Sequence, residues 1–160
     1  MREQQLSIAS NLRVPAAEVL DGITMRAVNA ELGPFVRMSA PREWSEWSIP
    51  DWPAGEHLFT SWILLLGILP VDRHRFFLEA TAPGEGFTEC STSWVNARWR
   101  HQRRVIPITG GCRVVDGVSY ASPLPGLGRL LLGAYRLVFR WRHHQLRLRY
   151  GSNPAGAGDD

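Results

Sequence analysis

The chain has 160 residues, 44% of them hydrophobic, and a formal charge of +3. That length holds one domain with a sizeable core and is short for two. All 18 basic residues are arginine, which excludes any mechanism that passes through a lysine Schiff base.

From Gln4 to Val14 the apolar residues Leu6, Ile8, Leu12 and Val14 alternate with polar ones, Ser10 being the weak position, and predict a half-buried strand. The opening MREQQLSIAS lacks the apolar core of a secretory signal, and Cys90 and Cys112 make no disulfide framework, so a cytoplasmic protein is expected. Pro15 suits a first helical position and starts a short helix over AAEVLDGIT, disturbed by Gly22. A second short helix over MRAVNAELG ends at Gly33 and Pro34. Between Pro41 and Pro53, PREWSEWSIPDWP holds three tryptophans and three prolines. It reads either as a lid over an entrance or as a surface loop whose tryptophans plug the edge of the core.

Strands are predicted at 57–66, 71–82, 86–94, 97–107 and 112–121. Turns fall at Gly67, at Pro83-Gly84-Glu85, at Val95-Asn96 and at Thr109-Gly110-Gly111, and such short links force antiparallel neighbours. The apolar run from Trp62 to Val71 is too short to cross a bilayer and is broken by Gly67 and Pro70. Its outer row, Ile63 and Leu65, needs a cover, which raises a homodimer contact or a lipid-facing patch. From Leu124 to Tyr150, Leu127, Leu131, Ala134, Val138 and Trp141 recur at steps of three and four, with Arg129, Arg136, Arg140 and Arg147 off that face. Pro123 and Pro125 place the start of this helix, and Gly151 its stop. Residues 1–150 are read as one domain and 151–160 as a disordered tail. The helix holds no acidic residue, so its basic face is either simply solvated or meets an anionic partner.

The order strand, two short helices, antiparallel meander and long helix is that of a helix-grip fold. Together with the strings SWILLLGILPVDRHR, GFTECSTSW, WRHQRR and FRWRHHQLR, it resembles the START and Bet v 1-like (SRPBCC) superfamily, near its bacterial polyketide-cyclase and ligand-binding branch, over residues 4–150. The resemblance implies an α+β fold, a curved antiparallel sheet wrapped around the long C-terminal helix. It also implies a cavity for an apolar or aromatic ligand, as in lipid carriers and polyketide aromatases.

Alternation assigns the strand faces. Arg98, Arg100, Gln102 and Arg104 form a polar row that should face water, leaving Trp99, His101, Arg103 and Val105 toward the helix. With a turn at 108–111, Val105 pairs with Val114, Arg103 with Asp116, His101 with Val118 and Trp99 with Tyr120. A two-residue turn at Val95-Asn96 sets Thr92 opposite Trp99, Cys90 opposite His101 and Thr88 opposite Arg103. His74, Phe76 and Leu78 fall on the inner row of their strand. The expected ligand contacts are Trp62, His74, Phe76, Leu78, Cys90, Thr92, Trp99, His101, Arg103, Asp116, Val118 and Tyr120 from the sheet, and Leu131, Ala134, Tyr135 and Val138 from the helix.

The leading function is a binding or carrier domain for a hydrophobic or aromatic small molecule. The first alternative is a polyketide cyclase or aromatase with His101, Arg103 and Asp116 as its polar groups, in which His101 and Asp116 are either an acid–base pair or a structural cluster. The second is a membrane-surface or partner-binding module acting through the basic helix. Cys90 beside His101 reads as a small buried thiol rather than a nucleophile. The five histidines show no metal-ligand spacing, and PGLGR lacks the context of a phosphate loop, so neither metal nor cofactor is expected, nor is nucleic acid as a partner.

Overall fold

The computed structural model describes residues 1–82, 84–124 and 126–154. Alternating side chains make β1 (Gln4–Leu12) an edge of a curved seven-stranded antiparallel sheet, ordered β1-β7-β6-β5-β4-β3-β2. Helices α1 (Ala16–Asp21) and α2 (Met25–Leu32) follow, the Thr24 hydroxyl capping α2 by accepting from the Ala27 N–H at 3.1 Å. Next comes β2 (Val36–Met38), a short edge strand that the periodicity does not predict. The Asn29 side chain clamps it, donating to the Met38 carbonyl at 2.9 Å and accepting from the Met38 N–H at 2.7 Å.

The tryptophan-rich segment forms α3 (Arg42–Ser45) and a 3-10 turn (Ile49–Asp51). Of the two readings of this segment, the plug fits: Trp52 is buried, with ring centroids 5.8 Å from Phe59 and 5.6 Å from Phe76, and Trp44 covers it at 5.1 Å. The meander comprises β3 (Glu56–Leu65), β4 (Leu69–Ala82), β5 (Gly86–Ser93), β6 (Arg98–Ile108) and β7 (Gly111–Ala121). A side chain at Gly86 would collide with the Arg103 carbonyl, so the start of β5 can lie this close to β6 only as glycine.

Helix α4 (Leu127–Tyr150) packs chiefly over β1 and α2. Its expected inward stripe is partly corrected, because Ala134 is exposed and the buried positions are Phe139, Arg142, His143 and Leu146. Arg147, expected off the inner face, is half-buried and donates to the Ser10 hydroxyl at 2.7 Å. Polar groups on the concave side of the sheet draw arginine and histidine inward, which an apolar count cannot register. Gly151, at φ +74, ends the helix by donating to the Arg147 carbonyl at 3.0 Å.

The next residues, expected to begin a disordered tail, dock on β1: Ser152 bridges Leu12, and the Asn153 N–H donates to the Asn11 carbonyl at 3.0 Å. The rest of that expectation, residues 155–160, lies outside the described residues, as do Pro83 and Pro125 of the expected turn and helix start. Among the described residues no helix is long and apolar enough to cross a membrane.

Between β6 and β7 the pairing is as expected, Arg103 with Asp116 and His101 with Val118. Strand β5 is displaced by one residue from its expectation, so that Ser91 pairs with Trp99, Glu89 with His101 and Phe87 with Arg103. The link from β5 to β6 is longer than a two-residue turn. The Ser93 N–H donates to the Asn96 carbonyl at 2.8 Å, and Asp72 accepts from the Trp94 and Val95 N–H groups at 3.0 and 3.4 Å. A one-residue slip exchanges the two faces of a strand. Cys90 and Thr92 therefore lie on the outer face, and Glu89 lies inside.

Candidate functional site

A cavity of about 160 Å³ lies between the concave face of the sheet, α2 and α4. Its apolar wall comes from Met25, Val28 and Leu32 of α2, Val36 and Met38 of β2, Ile49, Ile63, Phe76 and Phe87, and Val138 and Phe139 of α4. Asp72, His74, Glu89, Asn96, Trp99, His101, Tyr135 and Arg142 add polar groups.

At one end, Asn96 donates through Nδ2 to the Tyr135 hydroxyl at 2.7 Å. Burial pushes Tyr135 up to about 12 against that hydrogen bond, so the phenol stays neutral and keeps its own O–H as a donor. Asn96 Oδ1 and Trp99 Nε1 are buried and have no hydrogen-bond partner among the described residues. Each such group costs about 1–3 kcal/mol relative to a satisfied one. One wants a donor and the other an acceptor.

Along the sheet side, Glu89 accepts from His74 Nε2 at 2.5 Å and from the Ser91 hydroxyl at 2.6 Å, with His101 Nδ1 at 3.8 Å. Burial alone would raise the Glu89 carboxyl, but His74 and the hydrogen bonds from both imidazoles hold it below the usual carboxylate range. Burial pulls His101 down, and the Asp116 carboxylate, bonded to Nε2 at 3.0 Å, outweighs that and raises it. Asp116 also accepts from Arg103 Nε at 2.8 Å and Nη2 at 2.7 Å, and from His143 Nε2 at 3.1 Å. Burial would raise its carboxyl too, but Arg103 keeps it well below its ordinary value.

Glu31 of α2 joins Arg103 at 3.1 Å to Arg142 at 2.9 Å. Thus Arg103 and Arg142 share the carboxylates of Glu31 and Asp116, while His74 and His101 face Glu89, so the buried carboxylates of this cluster all meet cationic or imidazole partners. His143, by contrast, is held neutral, because burial lowers it more than Asp116 raises it.

Of the sequence-predicted ligand contacts, His74, Phe76, Trp99, His101, Tyr135 and Val138 line the cavity. Leu78, Arg103, Asp116, Val118 and Tyr120 are buried on the same side but behind the lining, and Leu131 packs against Val118, Tyr120 and Phe139. Cys90, Thr92 and Ala134 are turned away by the register slip and the helix rotation, and the faces of β3 are the reverse of those expected, Trp62 lying outside against Trp94 and Ile63 inside on the cavity. Sequence reasoning missed Glu31, Glu89, Asn96, Phe139, Arg142 and His143. Glu31 has a legible cue: it sits three residues after Val28 and beside Leu32, on the apolar face of α2.

A curved antiparallel sheet gripping a long C-terminal helix around such a cavity defines the START and Bet v 1-like class of fold. The chain belongs to the family described as Domain of unknown function (DUF8410), which it matches over residues 10–150. In three dimensions it is similar to a protein of Chromobacterium violaceum, with a TM-score of 0.68 at 12% identity over 93% of this chain and 99% of that one. It is also similar to a START superfamily protein of Mycobacterium smegmatis, with a TM-score of 0.56 at 6% identity over 91% and 97% of the two chains. A third likeness is to the di-domain ARO/CYC BexL from the BE-7585A biosynthetic pathway, with a TM-score of 0.62 at 11% identity over 95% of this chain and 51% of that one. Identities this low establish the shared fold alone. No curated protein matches the chain in sequence.

Proposed function

We propose that the chain binds a small, one-ring organic molecule that carries a hydroxyl group. The observation behind this reading is that the cavity, whose wall is largely apolar, is lined by Asn96 and Trp99, whose buried Oδ1 and Nε1 have no hydrogen-bond partner among the described residues. A phenolic hydroxyl donates to the first and accepts from the second, while its ring meets Phe76, Val138 and Phe139. The size agrees, since an apolar cavity of about 150 Å³ accepts benzene. Pockets for larger ligands run to about 300–1,000 Å³, so the likeness to the di-domain ARO/CYC protein supports the cyclase alternative by fold only.

The test is calorimetric titration with p-cresol and with toluene, which differ in the hydroxyl. The phenol is expected to bind at least tenfold more tightly, and Asn96→Leu to reduce that preference while retaining toluene. Equal affinities for the two probes in the unaltered chain, or no binding of either, would overturn the reading.

A further inference from the structure

The β3–β4 hairpin ends in side chains that nothing in the fold covers: Leu66 is 62% exposed, Ile68 81% and Leu69 56%. Leu66 also sits at φ +52, a left-handed backbone that disfavours a leucine and suits asparagine. Behind the tip come aromatic rings. Trp62 meets Trp94 edge-on at 5.4 Å, and the Arg73 guanidinium lies 5.6 Å over the Trp62 ring. Trp62 and Arg73 pair on the ladder well behind Leu65 and Leu69, which sets them about 10 Å back at ~3.3 Å per residue.

The apolar surface continues sideways. The Leu66 N–H donates to the Phe35 carbonyl at 2.8 Å, and the Phe35 ring packs on Trp141 of α4 at 5.2 Å. Leu137 and Leu130 extend the exposed row along that helix.

Among the described residues, the charges around this surface that lack an ion-pair partner and are exposed have one sign. Arg37, Arg73, Arg136 and Arg140 are exposed, and none forms an ion pair among the described residues. Between His57 and Leu78 the only acidic residue is Asp72, which is buried and holds the Trp94 loop. Glu46, in the groove beside Gly67, is paired with Arg26 at 2.6 Å.

We infer that this surface docks the protein on an anionic lipid bilayer, with the hairpin tip entering the acyl region. The aliphatic tip stands ahead of the tryptophan pair and Arg73, which share one level, as hydrocarbon stands to the interface and its headgroups. A second copy of the chain fits less well, because a two-fold contact through this surface sets arginines against arginines, and its one exposed carboxylate among the described residues, Glu46, is already paired with Arg26.

The test uses the full chain in flotation with phosphatidylcholine vesicles, with and without phosphatidylserine, at low and high salt. Flotation is expected with phosphatidylserine, weakening as salt rises. The double variant Leu66→Asn/Ile68→Asp is expected to bind at least tenfold more weakly while its urea midpoint stays equal or rises, since asparagine relieves the backbone at position 66. Arg73→Glu is expected to reduce binding to the anionic vesicles. Flotation that is absent, that is indifferent to phosphatidylserine, or that survives the double variant overturns the inference. So does a sedimenting dimer that the double variant dissolves while vesicles are ignored, which would make the second copy the occupant.

Discussion

Asp116→Asn removes one negative charge from the centre of the buried network and leaves the shape of the side chain. Four N–H donors converge on the carboxylate, two from Arg103 and one each from His101 and His143. An amide keeps one acceptor oxygen and turns an NH2 group toward the other two donors. Losing a hydrogen bond to a charged group costs about 1.5–3 kcal/mol, so two such losses give roughly 3–6 kcal/mol. Breaking a buried ion pair from one side costs about 3–5 kcal/mol, which agrees.

At this chain length the lower estimate alone shifts the melting point by roughly 6–12 °C. Urea unfolding followed by tryptophan fluorescence measures the loss, with m checked for constancy. Replacing both Arg103 and Asp116 by size-matched apolar residues is expected to recover only part of it, because Glu31, His101 and His143 lose partners as well. A loss below about 1 kcal/mol in Asp116→Asn, half of even one charged hydrogen bond, would refute the network account.

Two imidazoles should titrate on opposite sides of their ordinary 6.5, His101 above and His143 below, as read from their ring protons by NMR. For His101 the associated stability is complete below 6.5 and fades as pH rises through its raised folded value; for His143 it is present above 6.5 and fades as pH falls. Asp116 and Glu89, both lowered, contribute stability above the ordinary carboxylate range that is lost on acidification, so urea midpoints should fall steadily as the pH drops through and below that range. Val138→Asp places a charge in the apolar wall and should cost about 2–4 kcal/mol, whereas Arg140→Glu should change stability by about 0.5 kcal/mol or less; equal thermal melts would mean the faces of α4 are wrongly assigned. A thiol reagent should modify Cys90 in the native protein and reach Cys112, which is fully buried, only on unfolding.

The order of the elements other than β2 and α3, the β6–β7 register and the Arg103–Asp116 pair were legible because each rests on local signals: periodicity, a glycine-bearing turn, and opposite charges at matching ladder positions. The inner row of β5 was not. Thr88, Cys90 and Thr92 look more fit for a core than Phe87, Glu89 and Ser91, and alternation cannot choose the second row without knowing that His74 and His101 wait there for a carboxylate. The same limit hid Arg142 and His143, whose burial depends on Glu31 and Asp116 arriving from distant parts of the chain. The place of Asn96 depends on the length of the β5–β6 link, which alternation does not report.

All the fully buried positions of α4 lie in its second half, at Phe139, Arg142, His143 and Leu146. Amide protons in the two halves should therefore exchange with solvent water by different routes. In the second half, lifting the helix would strip Glu31 of the Arg142 counter-charge and Asp116 of the His143 hydrogen bond at once, so exchange there should require unfolding of the whole molecule. The first half is fastened mainly by Leu131, Leu132 and Tyr135, and it should open by itself. Opening of that half alone would uncover the cavity wall at Tyr135 and Val138 while the other end stayed pinned, a way in and out for the molecule proposed above that would leave the ionic cluster undisturbed.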